Sequence, residues 1–155
     1  MKYLIDRASA ITPKDSLDNL LKSKKSLRIK LGVDPTAPDV TLGWYAILRA
    51  LRKFQDYGHT AVLILGEFTA QVGDPSGKSE TRTQLKENQI DDNSKGVLPI
   101  IKNILNKENL EIVSNKDWLS KLSTSELVHL SSSTTLAQML ERDDFANRYK
   151  DGNPI

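Results

Sequence analysis

Cysteine is absent from this chain, which excludes disulfides, thiolate metal ligands and a cysteine nucleophile. Histidine is scarce: His59 and His129 stand apart without neighbouring ligand types, so each is expected to pack or face solvent rather than hold a metal. The acidic pairs Asp91-Asp92 and Asp143-Asp144 have no partner carboxylates nearby in sequence and read as solvated charge. Long apolar runs are missing too, and no window approaches the ~20 apolar residues of a membrane span. Met1 to Asp18 is interrupted by Asp6, Arg7, Lys14 and Asp15, unlike a signal peptide. No membrane partner and a cytoplasmic location are therefore expected. A net charge of only +2 does not by itself demand a nucleic-acid or membrane partner, so any such partner must be argued from a site. What remains is ordinary: 38% hydrophobic and 27% charged residues, the balance of a soluble globular protein. With 155 residues the chain suits one domain able to bury about 68–70% of its unfolded surface.

Periodicity divides the chain. Leu17, Leu20 and Leu21 have helical spacing, and Lys22, Lys24 and Lys25 follow where cations suit a helix C-terminus. Leu27, Ile29, Leu31 and Val33 then alternate with polar or small residues, the period of a strand closed by Pro35 and Pro38. From Trp44 the period becomes helical, with a stripe of Trp44, Ile47, Leu48, Leu51, Phe54 and Tyr57 and with Gly58 as the terminating glycine. Thr60 to Leu65 reads as a buried strand, so the unit is strand, helix, parallel strand. Glu67 to Gln84 reads as a polar loop. In Leu85 to Leu105, Gly96 and Pro99 are expected to break or kink any helix. Glu111 to Val113 is a third strand. Short helices are expected over 117–122, 125–130, 135–140 and 144–149, and Ser131 to Thr135 is a helix boundary. The pattern is α/β, with helices on both faces of a parallel sheet.

Open parallel sheets bind ligands past the carboxyl ends of their strands. Two loops qualify. The first runs from Gly32 to Trp44 and ends where a helix starts, whose free N–H groups favour an anion. Gly43 would let a ligand approach the backbone. Equally, Thr41 could be a simple N-cap and Gly43 a tight turn. The second loop, Gly73 to Ser79, ends like a P-loop, yet only Asp74, Pro75 and Ser76 separate its glycines and Pro75 removes a donor. That reading fails. A looser phosphate or amino-acid loop with Lys78 and Arg82 as mobile cations survives beside a plain solvated turn.

Together these segments resemble bacterial tyrosyl-tRNA synthetases. The stretch LRIKLGVDPTAPDVTLGW resembles the strand and loop leading to that family's His-x-Gly-His signature. LRKFQDYGHTAVLILGEFTAQVGDPSGKSETR is similar to its next helix, strand and amino-acid loop. NKDWLSKLSTSELVHL and TLAQMLERDDFANRYKDGNPI are similar to its connecting region. The resemblance implies a Rossmann-like class I synthetase catalytic domain. It implies the first half of a doubly wound parallel sheet over residues 27–83, after an N-terminal helical segment 1–26. The third strand and the start of the connecting region would occupy 84–155. It implies ATP-dependent activation of tyrosine and its transfer to tRNA. Mg2+ would accompany ATP, no cofactor would be tightly bound, and the full-length protein would be a homodimer. By the same resemblance Gly32, Asp34, Pro35, Gly43 and Trp44 would line the ATP site, and Lys30 and Asp74 the tyrosine site. Thr36, Thr41, Lys78 and Arg82 would be catalytic, the last two meeting the departing pyrophosphate.

Two departures shape the expectation. The signature reads Thr41-Leu42-Gly43-Trp44, so both histidines are gone. Losing one transition-state donor costs about a hundredfold or more in rate. The family's Tyr-x-x-x-Gln-x-x-Asp helix and Lys-Met-Ser-Lys-Ser-type loop also have no counterpart before Ile155. An incomplete catalytic domain, inactive alone, is expected. The first alternative is a non-catalytic module that pairs with a full-length homologue or another chain through the open sheet edge and the connecting region. The second retains only nucleotide binding, through Thr36, Gly43 and Lys78.

Overall fold

The computed structural model describes residues 2–23, 25–72 and 85–153. Strands β1 (Arg28–Val33), β2 (Thr60–Leu65) and β3 (Leu110–Ser114) form a parallel sheet in the order β1-β2-β3. Ile29, Leu31 and Val33 pair with Ala61, Leu63 and Leu65, while Leu110 and Ile112 pair with Ala61 and Leu63. Alternation sends all of these to one face. Helix α1 (Lys2–Ile5) and helix α2 (Lys14–Lys22) precede the sheet, and α3 (Leu42–Asp56) joins β1 to β2. Helix α4 (Glu67–Val72) and the long α5 (Glu87–Ile104) lie between β2 and β3. A 3-10 turn, Lys107–Asn109, leads into β3. Helices α6 (Lys116–Leu119), α7 (Thr124–Ser131), α8 (Leu136–Met139) and α9 (Asp143–Lys150) follow.

The core is one cluster in which Val33, Ala61, Leu63 and Leu65 of the sheet meet Leu48 and Leu51 of α3 and Val97 and Ile101 of α5. Burying each of the Val, Leu and Ile side chains contributes about 1.5–3 kcal/mol. Helices on both faces were expected, but the two long helices share one. Right-handed crossovers that advance in the same direction along a sheet must place their helices on the same side. By alternation the opposite face carries Arg28, Lys30 and Gly32, with Val62, Ile64, Glu111 and Val113 beside them. There Arg28 donates to Glu111, whose carboxylate raises the guanidinium pKa. Both groups are exposed, so the pair adds little stability.

Two local expectations are corrected and a third is refined. Residues 67–72, taken as loop, form α4. The stretch 85–105 holds one helix with Pro99 inside it, so neither Gly96 nor Pro99 breaks it. The carbonyl of Lys95 loses its intrahelical partner to the ring, but both residues are exposed and water can replace that bond. Gly96 is there for packing, because a Cβ would stand 2.7 Å from the Pro38 carbonyl oxygen. Finally, the apolar stripe of α3 is only partly core. Leu48 and Leu51 are buried, whereas Ile47 and Tyr57 are about half exposed. The buried polar residue there is Gln55. Its amide donates to the carbonyls of Asn106 and Asn109, both at 2.9 Å, and accepts from the Asn106 N–H at 2.8 Å. Asn109 then donates to the His59 carbonyl, and His59 Nδ1 accepts from the Leu27 N–H. This network clamps the amino ends of all three strands, leaving Asn109 Oδ1 buried without a hydrogen-bond partner. Gly58, with φ of 85°, ends α3 as the sequence anticipates.

Candidate functional site

At the other end of the sheet, each strand delivers a polar residue just past its carboxyl terminus. Asp34 follows β1, Gly66 and Thr69 follow β2, and Asn115 follows β3. Asn115 is buried, with its own N–H on the Leu65 carbonyl and its Oδ1 accepting from the Phe68 N–H at 2.9 Å. Its Nδ2 donates to Thr69 Oγ1 at 3.1 Å. The single Thr69 proton has two acceptors in reach, Asp34 Oδ1 at 2.9 Å and the Gly66 carbonyl at 3.1 Å. The charged, nearer oxygen is the stronger acceptor. A directed chain therefore runs from Asn115 through Thr69 to the Asp34 carboxylate. Gly66 makes it possible, since a Cβ there would lie 1.8 Å from Asp34 Oδ1.

The loop after β1 is held from below and behind. Pro35 is fully buried, and its carbonyl accepts from Asn93 of α5 at 3.0 Å. The Thr36 N–H closes on the Asp34 carbonyl at 2.8 Å. Thr41 is the N-cap of α3, its hydroxyl accepting from the Trp44 N–H at 3.4 Å. Between this loop, the start of α3 and the middle of α5 lies a cavity of about 80 Å³. Asp34, Thr36, Asp39 and Thr41 give it polar walls, and Trp44 packs against the core at its side. Its described lining contains two carboxylates and no cation.

The structure thus gathers Asp34, Thr36, Thr41 and Trp44 of the expected residues. Pro35, expected to line the ATP site, supports the loop from inside because its ring is buried. Gly43 lies in the first turn of α3 rather than in a tight turn, and a Cβ there would make only ordinary contact with Thr41. Lys30 and Gly32 lie on the face of the sheet opposite the core, so they are not brought to this cavity. Asp74, Lys78 and Arg82 fall outside the described residues. Sequence reasoning missed Gly66, Thr69, Asn93 and Asn115. For three of them the signal was present: each falls within four residues of a strand end, where such folds place their ligand contacts.

On the rim, Lys116 pairs with Glu87, tying the start of α6 to the start of α5. The hydrogen bond lowers the Glu87 pKa and raises that of Lys116. Among the described residues no group of three or more His, Asp or Glu stands together to hold a metal. None of the described helices is long and apolar enough to cross a membrane.

A parallel sheet with this polar convergence at its carboxyl edge defines a Rossmann-like fold class. The family model for class I tRNA synthetases (W and Y) matches residues 22–155, and the chain belongs to that family. Among its relatives, the tyrosine–tRNA ligase of Carboxydothermus hydrogenoformans is 46% identical over 149 residues. That of Thermotoga maritima is 47% identical over 145 residues. Each alignment covers 94% of this chain and 36% of the relative, so the chain spans little more than a third of their length. A C-terminally truncated Aspergillus nidulans mitochondrial tyrosyl-tRNA synthetase superposes with a TM-score of 0.72 at 23% identity. That match covers 91% of this chain and 43% of the other, a likeness of fold.

Proposed function

We propose that this chain contributes one half of an active site that activates tyrosine with ATP and passes it to tRNA. The observation that carries the reading is the Asn115–Thr69–Asp34 chain of hydrogen bonds at the carboxyl ends of three adjacent strands. It fixes one carboxylate where the fold class places its substrates. In this reading residues 1–26 are a supporting helical segment, 27–83 the nucleotide and amino-acid half-site, and 84–155 the third strand and connecting helices. Asp34, Thr36, Gly43 and Trp44 face the nucleotide, Asp74 the tyrosine amino group, and Lys78 and Arg82 the pyrophosphate. Thr41 offers the phosphates a hydroxyl. Mg2+ would arrive on the nucleotide, and the setting is the cytoplasm.

Phosphate charge is the weak point of the described half-site. Its cavity presents Asp34 and Asp39 but no cation, and Thr41 and Trp44 replace two imidazoles. The chain alone therefore gives tyrosine-dependent ATP–pyrophosphate exchange at the level of a blank. Exchanging it for the matching segment of the Thermotoga maritima relative supplies the rest of the active site. That chimera is expected to catalyse exchange about a hundredfold slower than the relative, with recovery on Thr41→His plus Trp44→His. A folded chimera that stays inactive with both histidines restored contradicts the reading.

A second reading is favoured by the connecting helices. Trp118, Leu127, Val128, Leu130 and Leu136 are each 45–65% exposed. Exposed apolar side chains of this kind suit docking of a second copy or a homologue. Sedimentation that shows a dimer, lost on Val128→Glu, supports it; a monomer at all concentrations contradicts it.

A further inference from the structure

Asparagine and glycine are both poor residues for a helix interior, yet the middle of α5 holds Asn93 and Gly96 one turn apart. Both meet the same loop. The Asn93 side chain donates to the Pro35 carbonyl at 3.0 Å, across 58 positions of the chain. A Cβ at Gly96 would stand 2.7 Å from the Pro38 carbonyl oxygen and 2.9 Å from the Pro38 Cβ, so helix and loop pass with no room for a side chain. Val97 and Ile101 of the same helix line the cavity that Asp34, Thr36, Asp39 and Thr41 border. The loop has few bonds of its own. Pro35 and Pro38 have no N–H to donate, and the Thr36 N–H closes on the Asp34 carbonyl. Among the described residues, Asn93 is the one side chain that bonds to the backbone of residues 35–40. Its place in α5 is thus explained by the loop and not by the helix.

We propose that Asn93 is a positioning residue for the nucleotide. Its amide fixes the turn from Asp34 to Thr36 against α5, and so sets where the Asp34 carboxylate and the Thr36 hydroxyl meet a ligand. The inference rests on the half-site reading above. Asp74, assigned there to tyrosine, is not on this loop, so the effect is selective for one substrate. Two variants of the full chain test it. Asn93→Leu removes the donor, and Asn93→Asp puts an acceptor of the same shape in its place; should one misfold, the other decides. Without ligand, 15N relaxation should show the backbone order parameters of Thr36 and Ala37 falling from about 0.85 to below about 0.6, with those of Gln55 and Asn109 unchanged. Titrated separately, Mg-ATP should bind about tenfold more weakly to the variants, while tyrosine binds as it does to the wild type. Equal weakening of both ligands, as general loosening would give, overturns the proposal. So does a Thr36 that stays rigid in the variants, even where Mg-ATP binds the wild type. A wild type that binds neither ligand overturns the half-site reading, and this inference falls with it.

Discussion

The two ends of the sheet are tied by similar residues to opposite effect. At the amino ends, Gln55 and Asn109 spend their hydrogen bonds on backbone groups that the strands and turns leave over. At the carboxyl ends, Asn115 and Thr69 direct theirs towards a carboxylate. The first network ends on backbone groups and serves stability. The second terminates on a charged group beside a cavity, the arrangement proposed above to serve a ligand. Same chemistry, different terminus: what a polar network ends on tells its role.

Substitutions separate the two. The largest loss of stability is expected from Gln55→Leu, which strips partners from the Asn106 N–H and from the Asn106 and Asn109 carbonyls. Urea unfolding should show a loss of about 3 kcal/mol. Gly66→Ala should cost about 2 kcal/mol, because the new methyl displaces the Asp34 carboxylate. Thr69→Val keeps the shape and removes one hydroxyl, so about 1 kcal/mol is expected. If Thr69→Val costs more stability than Gln55→Leu, the distinction between the two ends fails.

The smallest effect sharpens the comparison at the rim. Glu87 has a lowered pKa beside Lys116. Its contribution is full above the unfolded value of ~4.3 and is lost as pH falls through the folded one. Lys116 is raised, so its share is full below ~10.4 and lost as pH rises through the folded value. The Tm difference between the wild type and Lys116→Met should therefore be greatest between those limits and shrink outside them. Both side chains are largely exposed, so the difference is small.

Much of this architecture was readable from periodicity. Alternation gave β1, the TAVLIL run gave β2, and glycine after the apolar stripe gave the end of α3. The continuous α5 was not readable, because Gly96 and Pro99 carry the local signature of a break. Only the contact with Pro38 and the exposure of the proline face reveal why the helix survives. Nor was the placement of both long helices on one face, which follows from strand order rather than from any segment. Asp34, Thr36, Thr41 and Trp44, expected from one loop and the helix start that follows it, line one cavity because they are close in sequence. Thr69 and Asn115 escaped because their roles arise only when separate strand ends meet. Gln55 escaped because a polar residue on an apolar stripe carries no mark of what it bonds.

Whether the carboxyl edge is the ligand edge is tested directly by amide NMR of the isotope-labelled chain. Titration with millimolar tyrosine and Mg-ATP should shift the amides of Asp34, Thr36, Phe68, Thr69 and Asn115 together, leaving Gln55, Asn106 and Asn109 still. Shifts confined to the Gln55 end, or none at saturating ligand, would contradict it.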